Sequence, residues 1–138
     1  MRKPIRCILL IDDDPDDNYL HQLVIDESGL FDTVRIVENG QKGLDYLAQT
    51  DHPDYVRPDV ILLDINMPGM NGFEFLERYG QLNQSLRSRL VLLMLTTSIN
   101  SADTKRANQI DDVKGYLPKP LTRAMLEKIM NDYPREAL

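Results

Sequence analysis

The chain has 138 residues, with 16 Lys and Arg against 22 Asp and Glu, a formal net charge of -6 and a pI near 4.8. That length allows one domain with a real core, and the acidic balance with scattered Lys and Arg excludes the basic stripe of a nucleic-acid binder. The lone cysteine, Cys7, excludes an internal disulfide framework and is read as core filling in a reducing compartment. No apolar run approaches membrane-spanning length, so a cytoplasmic protein is expected.

Ile5 to Ile11 is an apolar run broken only by Arg6, and it ends abruptly in Asp12-Asp13-Asp14-Pro15-Asp16-Asp17. This predicts a strand and then an acidic turn. Pro15 suits a first helical turn, and Asp16 and Asp17 favour the positive end of a helix dipole, so a helix starts here. Tyr19, Leu20, Leu23 and Val24 supply an apolar stripe at helical spacing that is expected to face the core, and Gly29 marks the stop. His21 lies off that stripe and is expected to be exposed and without a role.

Thr33 to Val37 reads as a short β-branched strand, and Asn39-Gly40 as a turn before a helix carrying Leu44, Leu47 and Ala48. A polar loop over 50–58 leads to Val60, Ile61, Leu62 and Leu63, an unbroken apolar run that suits a strand covered on both faces, with Asp64 at its carboxyl end. Met67-Pro68-Gly69-Met70-Asn71-Gly72 is a turn-rich connection to a helix marked by Phe73, Leu76 and Tyr79. Leu90 to Leu95 is again all apolar and runs into Thr96-Thr97-Ser98. The helix predicted over 101–110 has a thin apolar face, mainly Ala102, Ala107 and Ile110, and should be the most weakly anchored. Gly115-Tyr116-Leu117 is a minimal strand before Pro118-Lys119-Pro120, and Thr122 can cap a last helix carrying Met125, Leu126, Ile129, Met130 and Tyr133. Five strand-helix units predict an α/β fold, a parallel sheet with helices on both faces. A single domain over 1–138 is expected, without an output domain.

Because parallel strands point the same way, Asp12, Asp13, Asp64, Thr96 and Lys119 should reach one edge, where open α/β sheets bind ligands. Three carboxylates held together repel one another, and hard oxygen donors with no nearby His or Cys select Mg2+ or Mn2+. Lys119 and the Thr96 hydroxyl suit the oxygens of a bound phosphoryl group. Asp64 would then be the nucleophile, forming an aspartyl phosphate.

The acidic pair after the first strand, LLDINMPGMNG after the third, LTT after the fourth and GYLPKP around the fifth together closely resemble the receiver domain of two-component response regulators. The resemblance covers nearly the whole chain and implies a flavodoxin-like sheet of order 2-1-3-4-5 with five helices. It implies Asp64 as phosphoacceptor, Asp13 and Asp64 as direct Mg2+ ligands with the backbone carbonyl of Asn66, and Asp12 as a supporting acid of the metal site. Thr96 and Lys119 would hold the phosphoryl group, Thr96 and Tyr116 would form the conformational switch, and the Lys119-Pro120 bond is expected to be cis. Asp14 is left outside the core site. Thr97 and Pro118 depart from the usual pattern without removing a functional group, and Asn66 and Ser98 imply slow to moderate self-dephosphorylation.

The function implied is a stand-alone phospho-switch with no separate substrate. It would take its phosphoryl group from a histidine kinase or a histidine phosphotransfer protein and act on a downstream target protein, without nucleic acid or membrane insertion. The docking face expected is the one formed by the last two helices and the fifth strand. The alternatives are an aspartyl-phosphate phosphohydrolase, disfavoured by Asn66 where such enzymes place an acid, and a degenerate receiver that only binds proteins.

Overall fold

The structure is a computed structural model that describes residues 5–97 and 101–133. In chain order its elements are β1 (Ile5–Ile11), α1 (Pro15–Ser28), β2 (Phe31–Val37), α2 (Gly40–Ala48), β3 (Val60–Asp64), α3 (Gly72–Tyr79), β4 (Val91–Thr96), α4 (Ser101–Asn108), β5 (Val113–Pro118) and α5 (Arg123–Asp132), with a 3-10 turn at Gln84–Leu86. All strand pairs are parallel and their order is β2-β1-β3-β4-β5, as expected. The second strand begins earlier than its β-branched core, because Phe31 is buried and pairs with Ile5.

Alternation along the strands explains the unbroken apolar runs. Ile61 and Leu63 of β3, with Leu9, Ile11, Leu92 and Met94, join one apolar cluster with Leu47 of α2, Phe75, Leu76 and Tyr79 of α3 and Ala107 of α4. Val60 and Leu62, with Ile8, Leu10 and Leu93, join a second cluster on the other face, closed by Ile25 of α1 and by Leu126 and Ile129 of α5. Cys7 is fully buried and its thiol is pushed up to about 12, chiefly by that burial. Side-chain caps start the helices: Asp14 accepts from the Asp16 and Asp17 amides, Asn39 from Lys42, Thr122 from Met125, and Asn71 forms a reciprocal capping box with Glu74. Asp14 thus has a structural role.

Of the stripe expected to face inward on α1, Val24 alone packs against the second cluster, and the helix is otherwise turned away from the expectation. Tyr19, Leu20 and Leu23 are exposed at 65%, 53% and 41%, and the buried face is Asn18, His21, Ile25 and Ser28. The physical reason is that Ile25 packs into the second cluster while polar groups of the same face find acceptors on the backbone. Asn18 Nδ2 donates to the Asp12 carbonyl at 2.9 Å, and Ser28 Oγ donates to the Ile25 carbonyl at 2.6 Å. His21, expected to be exposed, is only 2% so; burial, then the neighbouring Lys119, lowers its pKa and keeps the ring neutral. Leu20→Lys is therefore expected to leave the unfolding free energy within about 0.5 kcal/mol of wild type. Ile25→Ala should cost about 2–5 kcal/mol. Urea midpoints of the two variants check both, and a large loss in Leu20→Lys would restore the expected orientation.

α4 buries only Ala107 of its own residues, as its thin face implies. Composition hid an anchor of α4: the Arg106 guanidinium lies over the Phe73 ring at 4.1 Å, a cation-π contact to α3. The Lys119-Pro120 bond is cis, as expected.

Candidate functional site

Strand register assembles the site. Ile11 lies opposite Leu63, Asp64 opposite Leu95 and Thr96 opposite Pro118, so Asp12, Asp64, Thr96 and Lys119 leave the sheet at neighbouring points of one edge. One carboxylate oxygen from each of Asp12, Asp13 and Asp64 lies within 4.8 Å of the others. Asp12 and Asp64 are buried and Asp13 is more open. Thr96 is buried, and its carbonyl accepts from the Lys119 amide at 2.8 Å, which ties the exit of β5 to the end of β4.

The Lys119 ammonium reaches into the acids. Its Nζ is 2.7 Å from Asp12 Oδ2, 2.9 Å from Asp17 Oδ2 and 3.6 Å from Asp64 Oδ1, and the side chain is 7% exposed. Burial alone would lower its pKa, but the bonds to Asp12 and Asp17 outweigh this and hold it above the usual lysine range. Asp64 is pushed up to about 6, first by burial and next by the Asp12 charge; Lys119 and the backbone N–H of Asn66 offset part of this, and Asp13 adds to it. The Asp12 contact is close but poorly directed, so its buried Oδ2 has no well-aligned donor. A buried acceptor of this kind, among converging carboxylates, fits a hard divalent cation better than further hydrogen bonding.

The turn after Asp64 is held by two glycines for different reasons. Gly69 adopts φ 78, a left-handed conformation that side chains disfavour. Gly72 packs against the strand end: a Cβ there would lie 2.8 Å from the Asp64 carbonyl oxygen and 2.9 Å from Ile65 Cα, both backbone atoms. Its amide donates to the Ile65 carbonyl at 2.8 Å. Gly72→Ala must therefore displace α3 or β3, and is expected to cost about 1–3 kcal/mol in urea unfolding. An unchanged midpoint would show that the contact yields freely.

Asp12, Asp13, Asp64, Thr96 and Lys119 are thus brought together as expected. Asn66 is exposed on the turn and touches the site through its backbone N–H. Tyr116 stands apart on the edge strand β5, opposite Met94; it is half-buried, and its hydroxyl has no hydrogen-bond partner among the described residues. Ser98 lies outside the described residues. Three residues here were not anticipated as site neighbours: Asp17, Asn18 and His21. The spacing of Asn18, His21, Ile25 and Ser28 is helical and could have marked the inner face, but a polar face reads as solvated when hydropathy alone is used.

A family model described as the response regulator receiver domain matches residues 8–131. The chain is 29% identical over 124 residues to protein PilH of Pseudomonas aeruginosa, covering 90% of this chain and 93% of that one. The crystal structure of a two component response regulator from Cytophaga hutchinsonii superposes with a TM-score of 0.84 at 31% identity, covering 95% of this chain and 97% of that one. The Mn(2+)-bound form of response regulator Rcp1, a Synechocystis protein, superposes with a TM-score of 0.71 at 31% identity, covering 91% of each chain. Among the described residues no helix is long and apolar enough to cross a membrane. With the parallel sheet, the acid cluster and Lys119 in place, the match over most of its length means that the chain belongs to the response regulator receiver domain family.

Proposed function

We propose that the chain is a phospho-switch that accepts a phosphoryl group on Asp64 from a histidine kinase or a histidine phosphotransfer protein. A carboxylate oxygen of Asp64 attacks phosphorus, the O–P bond forms as the N–P bond of the donor phosphohistidine breaks, and the electron pair returns to the imidazole nitrogen. Asp12, Asp13 and Asp64, with the Asn66 carbonyl, would hold Mg2+, or Mn2+ as in the bound form of Rcp1. When bound, the cation neutralises charge on the transferring group. Lys119 orients and neutralises phosphoryl oxygens from its buried position at the edge, and the Thr96 hydroxyl donates to them. Thr96 drawn toward the phosphoryl group would let Tyr116 turn further inward, so that a downstream protein reads the change on the face of α4, β5 and α5.

The observation that carries this reading is the convergence of Asp64 with two other acids and one buried ammonium. The test is incorporation of label from radiolabelled acetyl phosphate. Label is expected with Mg2+ present and none after chelation; no incorporation under either condition would leave a receiver that only binds proteins.

A further inference from the structure

Lys119 stands where it neutralises the same carboxylates that a divalent cation would need, at 2.7 Å from Asp12 Oδ2 and 3.6 Å from Asp64 Oδ1. Two positive centres sharing those oxygens repel one another strongly in a site shielded from water. Lys119 is 7% exposed, so it cannot simply swing into solvent, and a buried ammonium stripped of its anions is costly. It needs a second acceptor. Asp17 supplies one at 2.9 Å, on the first turn of α1, with a side chain 29% exposed at the rim of the site.

Among the described residues, the neighbouring groups offer no other carboxylate in place of Asp17. Asp14 is taken up by capping α1, accepting from the Asp16 amide at 2.9 Å and the Asp17 amide at 3.3 Å. His21 lies close enough to feel both Lys119 and Asp17, but it is buried and neutral and offers the ammonium no charge. The cap that Asp14 forms also fixes the backbone of Asp17, so its carboxylate is presented at a set place.

We propose that Asp17 is a positioning residue for Lys119: it keeps the ammonium at the rim of the site, so that the lysine can yield Asp12 and Asp64 to a divalent cation and still stand beside Asp64. This rests on reading the three acids as a divalent site. With Asp17 removed, the carboxylates left beside Lys119 among the described residues are the metal-binding ones, and the ammonium competes with the cation for them.

Calorimetric titration of Mg2+ into the full chain tests this. Asp17→Asn is expected to weaken Mg2+ binding about five- to tenfold, and Asp16→Asn, which removes the same charge from the same exposed turn, about twofold or less. In a Lys119→Met background the Asp17→Asn effect should shrink to about twofold or less, because no ammonium is left to relocate. A second readout does not need the Lys119 variant to fold: the nitrogen-proton NMR signal of the Lys119 ammonium should persist with Mg2+ in wild type and Asp16→Asn, and be lost to solvent exchange in Asp17→Asn. Equal weakening by Asp16→Asn and Asp17→Asn, an undiminished effect without Lys119, or an ammonium signal indifferent to Asp17 would each overturn the proposal and leave Asp17 a plain surface charge. A wild-type chain that binds no Mg2+ would instead remove the divalent site itself, and this inference with it.

Discussion

Asp64→Asn is expected to abolish phosphoryl incorporation and, in the same protein, to raise the stability of the metal-free state by about 2 kcal/mol at neutral pH. Both effects come from one carboxylate. Asp64 is only 6% exposed, and burial with the Asp12 charge pushes it up to about 6 from 3.8. Between those values the folded chain binds more protons than the unfolded one, so Asp64 makes stability fall as pH rises through that window, and the loss is complete above about 6. Moving the carboxyl from 3.8 to about 6 corresponds to about 3 kcal/mol, an upper figure for what the amide relieves. The stability of Asp64→Asn should therefore be less dependent on pH across that range than wild type. Mg2+ affinity of wild type should fall as pH drops through about 6, because protons compete for the same oxygen. Urea unfolding across pH, without and with Mg2+, measures all of this. Residual label in Asp64→Asn would sink its role as phosphoacceptor, and a variant no more stable than wild type would sink the account of crowded charge.

Lys119→Met is expected to have the opposite sign and a larger size, a loss of about 3–5 kcal/mol without a divalent cation, largely recovered when Mg2+ is added. Lys119 meets Asp12, Asp17 and Asp64 within 3.6 Å in a nearly closed site, so its removal leaves buried carboxylates facing one another without a counter-ion. Phosphoryl incorporation should stay low even in the Mg2+-stabilised variant, because the ammonium that would meet the phosphoryl oxygens is gone. Urea midpoints with and without Mg2+ separate the two roles. A metal-free loss below about 1 kcal/mol would mean that the contacts are screened like those of a surface pair.

Much of the fold is legible in the residues because burial on two sides leaves a plain mark. Val60 to Leu63 and Leu90 to Leu95 can be apolar without interruption only if helices cover both faces of the sheet, and the two clusters on either side of β3 are that arrangement. The edges of elements were harder. β2 starts at Phe31 because of one buried ring, and α4 is pinned by an arginine over a phenylalanine, a contact that counts as polar in any hydropathy reading.

The site divides along the same physical line. Its members could be named from the chain because parallel strands deliver their carboxyl ends to one edge, whatever the side chains do afterwards, and Asp12, Asp13, Asp64, Thr96 and Lys119 stand at those ends. Three converging carboxylates also favour a hard cation by their chemistry alone, although the chain gave no sign that His21 stands nearby. Only the tertiary structure decided which face of α1 turns inward, that Asp64 holds its proton up to about 6, and that Lys119 is shared with Asp17, 102 positions away. Those are matters of distance between groups far apart in the chain and of the water excluded between them, and neither is set by local pattern.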